Sequence, residues 1–336
     1  SSTKPDCSSW RSRSPKMITA NISTALPVEK YESHSDRTSR CRGVSVKRVM
    51  ITGADGQLGF ELRRTAPENS VLLALTRSEL DITSRDSVFA CITKEQPAVI
   101  INCAAYTAVD KAETEVEKAH AVNQIGPRYL VEAAKQHNAL LAHISTDFVF
   151  DGSRGKAYAP EDRPNPLSVY GKSKLAGENE ILNSGAEAFI VRTAWLYSAH
   201  GNNFVKTMLR LMKERESIGV VTDQIGTPTW ANSLARVIWQ LIDHNARGLF
   251  HWSDAGVASW YDFAVAIQEE ALARGLLQKQ IPIKPITTAD YPLPATRPGF
   301  SVLDKTATCR LLGHQPDHWR TNLRQMLKEI TDSYGS

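Results

Sequence analysis

Residues 46–61 read VKRVMITGADGQLGFE, and this stretch decides the fold. A short apolar run, Val49–Ile51, ends in glycines at Gly53, Gly56 and Gly59, and Leu62 continues a helical pattern. Strand, glycine turn and helix in that order suit a dinucleotide pyrophosphate: the missing Cβ atoms let the backbone approach the phosphates, and the helix N-terminus offers unpaired N–H groups and a positive dipole end. The spacing is G-x-x-G-x-x-G rather than G-x-G-x-x-G, and three glycines at such a turn also occur as a plain structural corner.

Working outward from this turn, the chain alternates strand and helix. Strands are expected at Val49–Thr52, Val71–Leu75, Ala98–Asn102, Leu140–Ser145 and Ala188–Arg192. Between them, helices are expected at Gln57–Thr65, Ser84–Thr93, Val116–Gln136 and Ser168–Leu182. Continuous apolar strands separated by amphipathic helices predict an α/β fold, a Rossmann-type doubly wound parallel sheet covered on both faces. Such a sheet binds ligands beyond the carboxyl ends of its strands, which directs attention to Gly53, Thr76–Arg77, Cys103–Thr107 and Thr146. After about residue 200 the texture changes to helices at 204–214, 232–244 and 260–274, short strands near 218–222 and 248–252, proline-rich loops over 281–298 and a last helix at 319–331. The expected organisation is a dinucleotide-binding domain over 46–200, to which some later segments return, and a smaller, mainly substrate-binding lobe over 201–336.

Residues 1–45 are Ser-, Arg- and Thr-rich without hydrophobic periodicity, and read as a disordered extension. An Arg/Ser-rich, acid-poor start also resembles an organelle transit peptide. They hold eight Lys/Arg against four Asp/Glu, the whole of the net charge of +4, so the remainder is balanced and gives no argument for nucleic acid or membrane as a partner. No apolar run approaches the roughly 18 residues of a membrane span. The five cysteines lack C-x-x-C spacing, which suits a reducing compartment and a cytoplasmic setting.

Tyr170 and Lys174 form Y-x-x-x-K on the helix after the fourth strand, so both side chains share a helical face. A cation beside a phenol favours phenolate and brings its proton toward the useful range. An exposed Tyr–Lys pair is common on any helix; here the pair follows a strand that ends in Ser145-Thr146-Asp147, which supplies hydroxyls near a nicotinamide.

The glycine turn, the hydroxyl at the fourth strand's end and Y-x-x-x-K resemble the extended short-chain dehydrogenase/reductases. NCAAYTAVDKAE (102–113), STDFVFDG (145–152), PLSVYGKSKLAGE (166–178), RTAWLY (192–197), GNNFVKTML (201–209), DQIGTPT (223–229) and RPGFS (297–301) narrow the resemblance to the dTDP-4-dehydrorhamnose reductases. It covers residue 46 to the C-terminus. It implies NAD(P)H-dependent reduction of the C4 keto group of dTDP-4-dehydro-β-L-rhamnose, a step toward cell-surface polysaccharide, by a monomer or homodimer. Tyr170 would protonate the C4 oxygen, Lys174 would lower its pKa and bind the nicotinamide ribose, and Thr146 would polarise the carbonyl. Gly53, Gly56, Gln57, Leu58 and Gly59 would cover the pyrophosphate, Asp81 and Ile82 would flank the adenine, and Ala104, Ala105 and Thr107 would line the cofactor cleft. Asp147 and Trp195 would face the sugar, with Trp195 equally readable as a core aromatic. Arg297 and the loop 223–229 would hold the nucleotide.

The second strand runs into Thr76-Arg77, with Glu79 two residues later. Arg77 could accept a 2′-phosphate, so NADPH is the expected cofactor, with NADH possible. Some members of the family bind magnesium through three glutamates. Glu61 and Glu329 match two of them, but Asn232 stands at the third, so no metal is expected and both carboxylates read as solvated helix residues. Three alternatives stay open. A 4,6-dehydratase would carry Thr-Asp-Glu where this chain has Thr146-Asp147-Phe148. An epimerase of the same superfamily could use the same Tyr and Lys. A non-catalytic subunit resembling the regulatory β subunit of methionine adenosyltransferase has a similar Y-G-K-x-K segment.

Overall fold

A computed structural model describes residues 46–334; the readings of residues 1–45 lie outside the described residues. Six parallel strands form the central sheet: Lys47–Thr52 (β1), Ser70–Leu75 (β2), Val99–Asn102 (β3), Leu140–Thr146 (β4), Ala188–Thr193 (β5) and Gly248–His251 (β6). Their order across the sheet is β6-β5-β4-β3-β1-β2. The chain steps out from β1 to β2 and then back across to β3, so the crevice lies where the winding reverses, beyond the carboxyl ends of β1 and β3.

Alternation along the strands assigns the two faces. Val49, Ile51, Val99, Ile101, Phe189 and Val191 pack with Leu58 and Leu62 of helix Gln57–Arg64 (α1) on one face. Met50, Ile100, Leu141 and Ile190 meet Val88, Ile92, Leu130 and Val131 on the other. The predicted helix at 116–136 is continuous but not uniform. Val116–His120 passes through a π-helical segment, Ala121–Ile125, into Gly126–Gln136.

Some segments after residue 200 do return to the sheet. β6 pairs with β5 at its edge, and helix Ala231–Asp243 (α2) packs on α1 within the first core. A second core is built from Val205, Met208 and Met212 of helix Phe204–Glu214 (α3), Phe263 and Ile267 of helix Trp260–Leu272 (α4), and Leu323, Met326 and Leu327 of helix Trp319–Tyr334 (α5). Among the described residues, no helix is long and apolar enough to cross a membrane.

Candidate active site

The glycine turn follows directly from β1. Gly53 adopts φ +65°, and a Cβ there would stand 2.8 Å from the Ala104 nitrogen, so the turn and the wall after β3 touch as backbone. A Cβ at Gly59 would meet the Gly53 oxygen at 2.5 Å. Gly56 caps α1 with extended backbone and no side-chain acceptor, which leaves the first N–H groups of the helix for a ligand. A segment from the far side closes over this turn: the His200 ring lies against Phe60 with centroids 4.3 Å apart and its Nε2 is 3.1 Å from the Asp55 oxygen, while Asn203 Nδ2 donates to Gln57 Oε1 at 3.0 Å. The GNNF segment was visible in the sequence, but its clasp on the turn was not.

A cleft of about 820 Å³ opens beyond the strand ends. Gly53, Gly56, Gln57, Leu58 and Gly59 line one end, and Arg77, Asp81 and Ile82 line the rim after β2. Ala104, Ala105 and Thr107 form the wall after β3. Thr146, Asp147, Tyr170, Lys174, Trp195 and Arg297 also line the cleft. The loop 223–229 contributes no lining residue among those described. Contrary to expectation, Asp223 accepts from Thr288, and Gly226 packs behind the Trp195 indole. Arg297 reaches the cleft but is held by Asp110 through two bonds of 3.0 and 2.8 Å. A bidentate pair of this kind fixes the guanidinium plane and leaves its outer edge for another anion.

Helix Val169–Leu182 (α6) carries Tyr170 and Lys174 and is capped by Ser168, whose hydroxyl accepts from Gly171 N. Thr146 Oγ1 donates to Asp147 Oδ1 at 3.0 Å and accepts from Phe148 N. The pair does not act on the phenol as expected. Burial pushes Tyr170 up to about 12, with the Asp147 charge adding to the rise and a hydrogen bond with Thr146 opposing it. Lys174 does not offset this, because its Nζ donates to the Ile144 oxygen at 2.6 Å and is itself brought down to about 8 by burial. Burial also raises Asp147, to about 6, against the hydroxyls of Ser301 and Thr146. The result is a protonated phenol beside a carboxyl poised near neutrality.

Two residues not singled out in the sequence organise this centre. Asn123, inside the π-helical segment, accepts from Tyr106 N and donates to the Tyr106 oxygen and to Ser173 Oγ. It ties the wall after β3 to α6. His143 on β4 stands behind Lys174. Trp195 adopts φ +46° and stacks on Trp260 with ring centroids 3.5 Å apart. It is thus a cleft wall and a member of the second core at once.

Glu61 and Glu329 are not solvated carboxylates. Glu61 is completely buried: its Oε2 accepts from Arg64 Nε, Arg64 Nη2 and Asn232 Nδ2, and its Oε1 accepts from Ser198. Arg64 Nη2 also reaches Glu329 Oε1 at 2.8 Å. The Arg64 guanidinium therefore bridges the two carboxylates, the Asn232 amide donates to Glu61, and α1, α2 and α5 are joined there.

A glycine-rich phosphate turn with an uncapped helix end, sharing one cleft with a half-buried phenol and a buried ammonium, meets the needs of a nicotinamide dinucleotide. Fold and site together place the chain in the class of nicotinamide-dependent oxidoreductases of the extended short-chain type. Comparison with known proteins narrows the class. Residues 47–332 match the family model described as RmlD substrate binding domain. A dTDP-4-dehydrorhamnose reductase from Aggregatibacter actinomycetemcomitans is 46% identical over 287 residues, covering 83% of this chain and 98% of the relative. The spore coat polysaccharide biosynthesis protein SpsK of Bacillus subtilis is 40% identical, covering 84% and 97%. The crystal structure of a Bacillus anthracis dTDP-4-dehydrorhamnose reductase in complex with NADP superimposes with a TM-score of 0.80 at 40% identity, covering 84% of this chain and 99% of that one. The chain belongs to the dTDP-4-dehydrorhamnose reductase family.

Proposed function

We propose that the protein reduces the C4 keto group of dTDP-4-dehydro-β-L-rhamnose to give dTDP-L-rhamnose. The observation that carries this reading is one cleft lined by the glycine turn together with Thr146, Asp147, Tyr170, Lys174 and Trp195. The turn at Gly53–Gly59, Ala104, Ala105, Thr107 and Lys174 would hold the dinucleotide, which supplies the hydride when bound. Tyr170 holds its proton on Oη, because burial keeps the phenol uncharged, and releases it to the developing C4 alkoxide. Thr146 Oγ1 accepts from Phe148 N and donates its one proton to Asp147 Oδ1; with substrate bound, that proton would turn from Asp147 to the same oxygen. Asp147 would accept from a sugar hydroxyl, and the Trp195–Trp260 stack would present an apolar wall to the ring. Arg297, fixed by Asp110, would meet the nucleotide's phosphates.

NADPH is the preferred cofactor in this reading. Glu79, the acid that would favour a free ribose, is turned back onto its own loop, accepting from Thr76 N at 2.8 Å and Thr76 Oγ1 at 2.7 Å. Arg77 stays exposed on the cleft rim for a 2′-phosphate. Magnesium is not part of the proposal, because Arg64 already supplies the cation between Glu61 and Glu329. A cytoplasmic, reducing setting suits the free thiols Cys91, Cys103 and Cys309.

The test is oxidation of NADPH and of NADH by the full chain with dTDP-4-dehydro-L-rhamnose, with the product identified. Rapid oxidation to dTDP-L-rhamnose, faster with NADPH, is expected. A protein that binds the dinucleotide and leaves the keto sugar untouched would sink the reading.

A further inference from the structure

A buried polar chain runs across the sheet and ends at Lys174. Thr52 Oγ1 donates to Asn102 Oδ1 at 2.7 Å, and the Ala104 N–H reaches the same oxygen at 3.2 Å. Asn102 Nδ2 stands 3.0 Å from His143 Nδ1, and His143 Nε2 stands 3.5 Å from Lys174 Nζ. Thr52 ends β1, Asn102 ends β3 and His143 lies mid-β4, all at most 1% exposed.

The bonding pattern determines where the ring proton sits. A backbone N–H can only donate, so Ala104 holds the Asn102 carbonyl oxygen on its own side and turns the amide NH₂ toward His143. His143 Nδ1 must then accept. Burial, together with the charge of Lys174, keeps the ring uncharged well into the acidic range, so its single proton occupies Nε2. That N–H points at Lys174.

The other groups that face Lys174 are largely neutralised. Glu178, one turn along α6, accepts from Arg192 at 2.9 and 2.6 Å. Cys103, after β3, is pushed up to about 12 by burial and is uncharged. Tyr170, one turn earlier on α6, is protonated. The Ile144 oxygen takes one Lys174 proton at 2.6 Å.

We propose that His143 is a positioning residue for Lys174: held by Asn102 in the Nε2–H form, it presents a donor to the amine, so that Lys174 gives up its extra proton more readily than beside an apolar side chain. The inference rests on Lys174 lying in the dinucleotide cleft, but not on the sugar chemistry. Burial acts on Lys174 in the same direction, while Glu178 acts in the opposite one. The cleft thereby contains a cation that can change charge close to neutral pH.

Nuclear magnetic resonance on the full chain tests this without turnover. Nitrogen-15 spectra of the imidazoles should show His143 with a bare Nδ1 and a protonated Nε2 throughout the neutral range; the opposite tautomer would overturn the proposal. The Lys174 side chain, followed by its Cε signal and assigned by its loss in Lys174→Met, should titrate about one pH unit higher in His143→Phe. His143→Gln, whose amide can accept from Asn102 and donate to Lys174, should bring the midpoint back. A folded His143→Phe protein with an unmoved midpoint rejects the idea. Should His143→Phe fail to fold, Asn102→Asp replaces it: a carboxylate draws the ring proton to Nδ1, and an unchanged tautomer there overturns the proposal equally.

Discussion

Two charged clusters, one on α1 just after the dinucleotide turn and one on α6 lining the cleft, are finished differently. Around Glu61, both carboxylate oxygens have partners, from Ser198, Asn232 and Arg64, and Arg64 passes on to Glu329. Around Tyr170 and Lys174, the lysine is as deep but Tyr170 is only half-buried and closure is incomplete: the phenol is held protonated, Lys174 leans on a single carbonyl, and Asp147 is lifted toward neutrality. A closed cluster contributes to architecture by joining helices. An open one keeps hydrogen-bonding capacity for something that arrives later. In sequence both are titratable side chains on helices, Glu61 just after the glycine turn and Tyr170 and Lys174 much later, and it is their state of completion that separates their roles.

The largest effect that would sharpen this contrast is Tyr170→Phe. Turnover should fall by roughly 10²–10⁴, with dinucleotide affinity and unfolding midpoint nearly unchanged; near-normal turnover would remove Tyr170 from the chemistry. Glu61→Ala should do the reverse. Leaving Asn232, Ser198 and Arg64 without their acceptor should cost about 2–3 kcal/mol in urea unfolding, reduced from the fully buried case because Arg64 is 40% exposed. Turnover per folded molecule should change little, and a large loss there would blur the distinction between the clusters.

Lys174→Ala comes next, with dinucleotide affinity expected to weaken about tenfold, as for one lost charge-assisted hydrogen bond. Unaltered affinity by fluorescence titration would count against its place at the ribose. Below that lies a pH effect. Asp147 is protonated below about 6, so KM for the sugar should rise several-fold on acidification, and Asp147→Asn should flatten the profile. Because folding raises this carboxyl from 3.8, acidification through that window adds stability at Asp147. A loss of activity there is therefore not unfolding at this residue. The smallest effect is that of a chelator, expected to leave both turnover and melting temperature unmoved; a drop in either would show that Arg64 does not replace the cation.

Periodicity and turn chemistry made the sheet legible. The five strands expected before residue 200 lie within one or two residues of their observed ends, and the helix at 204–214 coincides with Phe204–Glu214. The cleft was legible because strand ends and Y-x-x-x-K have positions that topology brings together. What escaped was decided by long-range partners. Nothing local says that Glu61 is buried, since Ser198 and Asn232, which donate to it, come from far along the chain. Nor does the helical pattern at 116–136 announce a π-helical segment that turns Asn123 toward Tyr106. The direction of the Tyr170 shift was missed because the motif shows the cation but not the desolvation that outweighs it.

The clasp of His200 and Asn203 on the turn at Asp55–Gln57 has a thermodynamic consequence. The cradle is already ordered by contacts within the chain, so a dinucleotide would enter it without a loop having to fold around it. The entropic cost of shaping the site is met when the protein folds rather than at each binding event. Calorimetry should then show a modest heat-capacity change on binding, in proportion to the ligand surface covered and without the excess that accompanies coupled folding. Loosening the clasp, as in Asn203→Ala, would transfer that cost to the ligand and appear as a less favourable binding entropy at similar enthalpy.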